Sequence, residues 1–111
     1  MNEKLFNTAA RERRCAKWES ICTVLPQELY AGSVRLLIDL LYAFIEDGHC
    51  EELFESDMEI LEDRVNLLYQ LTQINAPKSL TESLLLVVEC EAERLLRLVI
   101  VCLELGYTKT L

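Results

Sequence analysis

Two stretches of this chain, residues 29–45 and 80–105, read as helices that are apolar around most of their circumference. In the helical segment around the first stretch, residues 27–47, the polar side chains recur at intervals of seven, four and seven and form one narrow stripe: Glu28, Arg35, Asp39 and Glu46. Such helices have to be covered on several sides. This is more apolar surface than a small bundle readily hides, so part of it is expected to bind a protein partner, a second copy of the chain, or both.

The few glycines and prolines, which tend to end helices, divide the chain into four helical segments. Three glycines and two prolines among 111 residues leave little room for irregular loop. Breaks are expected near Pro26, at Asp47 and Gly48, and from Asn75 to Pro77. Residues 1–111 are therefore predicted to form a single all-α domain, a small antiparallel bundle of about four helices, either alone or as a homodimer. The predicted helices span residues 3–24, 27–47, 50–75 and 80–105.

The first segment combines a polar half with a row of apolar residues. The row is spaced by three, four and three residues and is expected to dock this segment on the bundle: Cys15, Trp18, Cys22 and Leu25. A basic turn overlaps it: Arg11, Arg13, Arg14 and Lys17. Because the chain as a whole is acidic, these cations are expected to pair with acids of another helix.

The third segment has the clearest helical periodicity. Steps of four and three connect six positions: Phe54, Met58, Leu61, Val65, Leu68 and Thr72. Four further apolar residues are spaced by sevens: Leu53, Ile60, Leu67 and Ile74. Both sets are predicted to form one broad stripe that faces the core. The opposite face is acidic and is expected to be solvated: Glu51, Glu52, Glu55, Glu59, Glu62 and Asp63.

The fourth segment interrupts its polar stripe with two apolar residues, Leu86 and Ile100. We predict that they form an apolar partner-binding face together with Leu96 and Leu103. Glu93 and Arg97 are spaced for an ion pair between successive turns. Ser79 and Glu82 predict a capping box at the start of this helix, and Gly106 predicts a left-handed residue at its end.

The charge and cysteine content limit the classes of partner and the compartment. The net charge is -8, and nine acids without a base lie between residues 46 and 63, so direct nucleic-acid binding is not expected. A membrane span needs about 20 apolar residues, whereas no apolar run here is longer than that of residues 98–103. Five cysteines without a CxxC pair, and no signal-peptide core, predict a reduced protein that is intracellular and cytoplasmic.

Signatures of catalysis and of cofactor binding are absent from the sequence. It has one histidine and no glycine-rich phosphate loop, GxSxG or HExxH motif. His49 and Cys50 are adjacent, but the other cysteines lack the paired spacing of a zinc site. We therefore predict no enzyme activity, no cofactor and no metal. A reactive Cys50 remains an alternative, because a thiol exposed at a helix N-terminus has a lowered pKa.

These observations favour a non-enzymatic protein–protein interaction module, such as an adaptor, a chaperone-like protein or a regulatory subunit, that acts through its apolar helix faces. The alternative is an inhibitor or immunity-type protein whose acidic third helix occupies a basic groove of a nucleic-acid enzyme or toxin. That alternative requires salt-sensitive association. A membrane-active helical bundle is a third hypothesis, suggested only by the hydrophobic fourth segment.

Overall fold

The computed structural model describes residue 6 and residues 8–25 and 31–106, and over this part of the chain it has four helices and no strand. They are α1 (Thr8–Val24), α2 (Ala31–Asp47), α3 (Glu51–Gln73) and α4 (Lys78–Glu104). The prediction of an all-α bundle is confirmed. The predicted starts of the first two helices at residues 3 and 27, and the break near Pro26, lie outside the described residues.

Interhelical contacts fix the arrangement of the helices. Arg11 near the start of α1 pairs with Glu46 near the end of α2, so these two helices are antiparallel. The four-residue connection between α3 and α4 and the contact of Arg64 with Glu91 make that pair antiparallel as well. The most extensive contacts join α2 to α4, and the helices follow one another around the bundle in the order α1, α2, α4, α3.

Each helix contributes a row of side chains to the central core. The six positions of α3 that are spaced by four and three, from Phe54 to Thr72, are all buried, as predicted. The predicted burial of Trp18 and Leu25 is confirmed, and the other buried residues of this row are Ala10, Arg14 and Ile21. Cys15 and Cys22 are only half-buried. The buried residues are spaced by four, four, three and four, so they lie on one side of α1, and this side packs against the core.

The second apolar row of α3 does not face the core, and the prediction of one broad inward stripe is wrong. Its members are between 47% and 71% exposed: Leu53, Ile60, Leu67 and Ile74. Successive residues of a helix point about 100° apart. Since Leu53, Ile60 and Leu67 each precede a buried residue by one position, the spacing by sevens aligns them on a separate, outward-facing line.

The helix ends agree in part with the sequence prediction. Gly106 follows α4 with a φ of 78°, as expected for a left-handed residue. The predicted capping box is wrong, since α4 begins at Lys78 after Pro77 and no side chain caps it. Ser79 therefore lies inside the first turn. Between α2 and α3 the left-handed residue is His49, while a Cβ at Gly48 would overlap the side chain of Leu103.

Candidate interaction surface

Exposed apolar side chains lie on α3 and α4, and two of them, Ile60 and Leu98, line the depression between these helices. On α3 they are the four residues spaced by sevens: Leu53, Ile60, Leu67 and Ile74. On α4 they are Leu80, Val87, Leu98, Val101 and Leu105. Intervals of three, seven and eleven residues from Leu98 keep the α4 members on one side of that helix. These nine residues, between 44% and 71% exposed, are called the α3/α4 strip below.

The middle of the strip is a shallow depression whose buried lining residues are Leu61 and Leu95. It has a volume of about 190 Å³ and is lined by Ile60 and Leu98 together with four charged residues: Asp57, Arg64, Glu91 and Arg94. Arg64 Nε donates a hydrogen bond to Glu91 Oε1 over 2.6 Å. Small-molecule sites usually have at least about 300 Å³. The depression is therefore better suited to the side chains of a macromolecule than to a small ligand.

Two pairs of residues beside the middle of the strip carry opposite charge and are called its acidic and basic borders below, and Glu93 and Glu104 are exposed on the same side of α4 as Arg97. Glu59 and Asp63 are exposed beside Ile60 on α3, whereas Arg94 and Arg97 are exposed one turn before Leu98 and Val101 on α4. Within the described part of the chain, none of these four charged residues forms an ion pair. The predicted ion pair between Glu93 and Arg97 is therefore wrong. All four charges remain available to a bound partner.

The apolar face predicted on α4 is only partly open. Leu86 is 53% exposed and Ile100 is 37% exposed. Leu96 and Leu103 are half-buried against the core. The reason is that α4 lies between α2 and α3 in the bundle and α2 packs closely on it. A partner-binding role for these four residues stays a prediction, and the α3/α4 strip on the other side of the helix is the larger exposed surface.

The predicted acidic face of α3 is divided by the packing of the bundle. Glu52, Glu59 and Asp63 are exposed, while Glu51, Glu55 and Glu62 are half-buried. Glu62 Oε1 accepts a hydrogen bond of 2.9 Å from the hydroxyl group of Tyr42. Burial raises the pKa of Tyr42, and the negative charge of Glu62 raises it further. The phenol of Tyr42 therefore stays protonated and donates the hydrogen bond to Glu62.

Three of the four residues of the basic turn of α1 contact other helices. Arg11 forms the expected ion pair with an acid of another helix, Glu46, over 3.3 Å. Lys17 donates a hydrogen bond to Asn66 of α3. The sequence prediction missed Arg14, which is 4% exposed and whose guanidinium carbon lies 3.7 Å from the ring centroid of Tyr42. Arg14 lies four residues from both Ala10 and Trp18, and this spacing could have predicted its burial on the same side of α1.

The cysteines are free thiols that differ in exposure. Among the described residues, no group of three His, Cys, Asp or Glu side chains is arranged to hold a metal ion. Cys50 is 1% exposed, and its thiol donates a weak hydrogen bond to the Ile45 carbonyl oxygen over 3.6 Å. Burial raises the pKa of the Cys50 thiol above its usual value. The hypothesis of a reactive, exposed Cys50 is therefore wrong.

Thiol labelling provides a direct test of this difference. We expect a maleimide reagent to modify the exposed Cys90 rapidly in the native protein and Cys50 only after unfolding, because a buried neutral thiol is neither accessible nor nucleophilic. Mass spectrometry of labelled peptides gives the rate at each cysteine. Cys90→Ser removes the fast step and is the matched control. Labelling of native Cys50 as fast as that of Cys90 would contradict its burial.

Comparison with known proteins places no further constraint on the surface. No protein-family model, curated protein or solved structure shows a significant match to this chain. None of the helices in the described residues is long and apolar enough to cross a bilayer. The α3/α4 strip has therefore to be judged on its own geometry and chemistry.

Proposed function

We propose that this protein is a non-enzymatic protein–protein interaction module and that it binds its partner through the α3/α4 strip. The supporting observation is the alignment of nine exposed, large apolar side chains along one pair of helices. Soluble monomers rarely expose contiguous apolar patches of more than a few hundred Å², and larger ones mark interaction sites. An adaptor, a chaperone-like protein or a regulatory subunit would use such a face.

The shape of the strip favours a helical binding partner. Two antiparallel helices form a shallow groove between them, and an amphipathic helix can lay its apolar side chains in such a groove. The spacing of Leu53, Ile60, Leu67 and Ile74 by sevens matches the periodicity with which a packed helix returns the same face. The hydrogen bond between Arg64 and Glu91 supplies a polar feature that would help to fix the register.

The alternative of an acidic inhibitor has less support. Half of the acidic residues on which it depends are half-buried, and Glu62 is engaged with Tyr42 of the same chain. The exposed acids Glu59 and Asp63 lie beside apolar residues of the strip. Charges at the rim of an apolar interface steer association and set specificity more than they determine affinity. We therefore treat these acids as a border of the apolar surface.

Site-specific photo-crosslinking in the cells that make the protein tests the proposal. A benzophenone side chain is placed at Ile60 or Leu98 in the strip, or at Leu36 of α2, which is 64% exposed and serves as the matched apolar control. We expect protein adducts from both strip positions and not from Leu36. Mass spectrometry identifies the cross-linked protein. Adducts only from Leu36, or none from the strip, would contradict the proposed binding face.

A further inference from the structure

We propose that the partner bound to the α3/α4 strip is a second copy of this chain, in a two-fold dimer that places α3 of each copy on α4 of the other. This inference rests on the proposed function and adds the identity of the binding partner. It is drawn from the distribution of charge along the borders of the strip, from the register of α3 and α4, and from the area that the strip offers.

The two charged borders of the strip are complementary to each other. Glu59 and Asp63 border it on α3, and Arg94 and Arg97 border it on α4. A two-fold axis parallel to the helix pair places α3 of each copy opposite α4 of the other copy. The acidic border of each copy then meets the basic border of the other, twice in one interface. Opposite potentials across an interface favour association and fix its register.

The register of α3 and α4 places the individual charges at matching positions along the helix axes. Arg64 lies opposite Glu91, and residue numbers fall along α4 as they rise along α3. Glu59 is therefore level with Arg97, and Asp63 is level with Arg94, each to within about half a turn of helix. A rotation about an axis parallel to the helices leaves these levels unchanged. In the dimer each acid thus faces an arginine of the second copy.

The apolar residues of the strip match in the same register. Ile60 and Leu98 line the same depression. The antiparallel register also places Leu67 level with Val87 to within one residue, and Leu53 within about one turn of Leu105. In the proposed dimer each apolar residue of α3 packs against its α4 counterpart in the second copy. The contacts therefore run along the whole strip, with apolar pairs in the centre and opposite charges at the borders.

The overall charge of the chain also favours the strip as the face for self-association. Copies with a net charge of -8 repel each other over most of their surface. Within the central depression, Arg64 and Glu91 neutralise each other through their hydrogen bond. A strongly basic partner would bring like charge against Arg94 and Arg97. A second copy meets both borders with opposite charge, which is why we favour it over a basic partner.

The area of the strip is sufficient for a stable dimer. A specific interface of standard size covers about 800 Å² on each partner, out of an accessible surface of 6752 Å² for this chain. The 23 residues of α3 extend over about 35 Å and the 27 residues of α4 over about 40 Å. Two neighbouring helices, each about 10 Å across, form a band about 20 Å wide. The outer face of α3 and α4 therefore has the required dimensions.

Charge reversal at the two borders, followed by sedimentation equilibrium, tests the proposed dimer. The variants are E59K/D63K and R94E/R97E, and E12K/D47K changes the charge as much as the first but at exposed positions outside the strip. We expect the wild type to have twice the 12.8 kDa mass of one chain. Each border variant should weaken the dimer by at least about tenfold, because like charges then face each other. E12K/D47K should dimerise as the wild type does.

An equimolar mixture of the two border variants is the decisive sample. One variant then has two basic borders and the other has two acidic borders. In their heterodimer the borders meet only opposite charge at the four substituted positions, so we expect dimerisation to be restored. Circular dichroism checks that each variant is folded. A mixture that stays monomeric, or a wild-type dimer that neither border variant weakens, would overturn the proposed arrangement.

The same measurements separate a failure of this inference from a failure of the proposed function. A wild type that is monomeric up to about 100 µM, and that cross-links from Ile60 to a different protein, overturns the second copy as the partner and retains the strip as a binding face. A monomeric wild type without any adduct from the strip overturns both. Adducts between two copies of the chain from Ile60 and Leu98 support both.

Discussion

Leu68→Ala is expected to lower the free energy of unfolding by about 2–5 kcal/mol, whereas Leu67→Ala is expected to lower it by less than about 1 kcal/mol. The two leucines are adjacent in α3, but Leu68 is fully buried and Leu67 is 47% exposed. Truncation at Leu68 removes apolar contacts and leaves a cavity that the neighbouring helices only partly fill. Denaturant titration followed by circular dichroism gives both values.

The comparison also separates stability from association. Leu67 belongs to the α3/α4 strip, so Leu67→Ala should weaken binding at that surface while leaving the fold nearly as stable as the wild type. Unfolding has to be measured at protein concentrations below the dissociation constant of any dimer, because association adds to the apparent stability. Equal losses of stability from the two variants would contradict the assignment of Leu68 to the core and of Leu67 to the surface.

The helices were predictable from sequence because local signals agree with the tertiary structure. Gly48 and Pro77 lie in the observed connections, and the apolar spacing between them has the period of a helix. The inward row of α3 from Phe54 to Thr72 was recovered for the same reason. Where breakers are few and one apolar row is continuous, secondary structure and burial follow from spacing alone.

The interaction surface was not predictable in the same way. On α3, the row containing Leu67 and the row containing Leu68 are both apolar, and periodicity gives no reason to bury only one. The neighbouring helices decide it, since α3 is held between α1 and α4. α4 has apolar residues around most of its circumference, so spacing could not distinguish the half-buried Leu96 from the exposed Leu98. Such choices depend on contacts between distant parts of the chain.

The burial of Arg14 was missed because residue type and spacing gave opposite indications. An arginine in a basic turn is usually solvated, whereas its interval of four from Trp18 placed it in the buried row of α1. The structure resolves the conflict through Tyr42, whose ring lies under the guanidinium group and whose hydroxyl group is bonded to Glu62. A buried cation is tolerated where an aromatic face and nearby carboxylates replace part of its hydration.

Arg14→Ala is therefore expected to lower the free energy of unfolding by about 2–4 kcal/mol, and Arg13→Ala by no more than about 0.5 kcal/mol. The two arginines are neighbours with the same charge, but Arg13 is exposed and Arg14 is buried. Loss of Arg14 removes the cation from the Tyr42 ring and also removes the packing of its aliphatic stem. Denaturant titration of both variants measures the difference.

Arg14→Met and a double-mutant cycle with Tyr42→Leu separate these two contributions. Methionine keeps most of the stem and removes the charge, so it should recover the packing part of the loss and none of the cation–π part. If the contact between Arg14 and Tyr42 is stabilising, the two substitutions together should cost less than the sum of their separate effects. Strict additivity, or equal losses from Arg13→Ala and Arg14→Ala, would show that the buried cation does not stabilise the bundle through Tyr42.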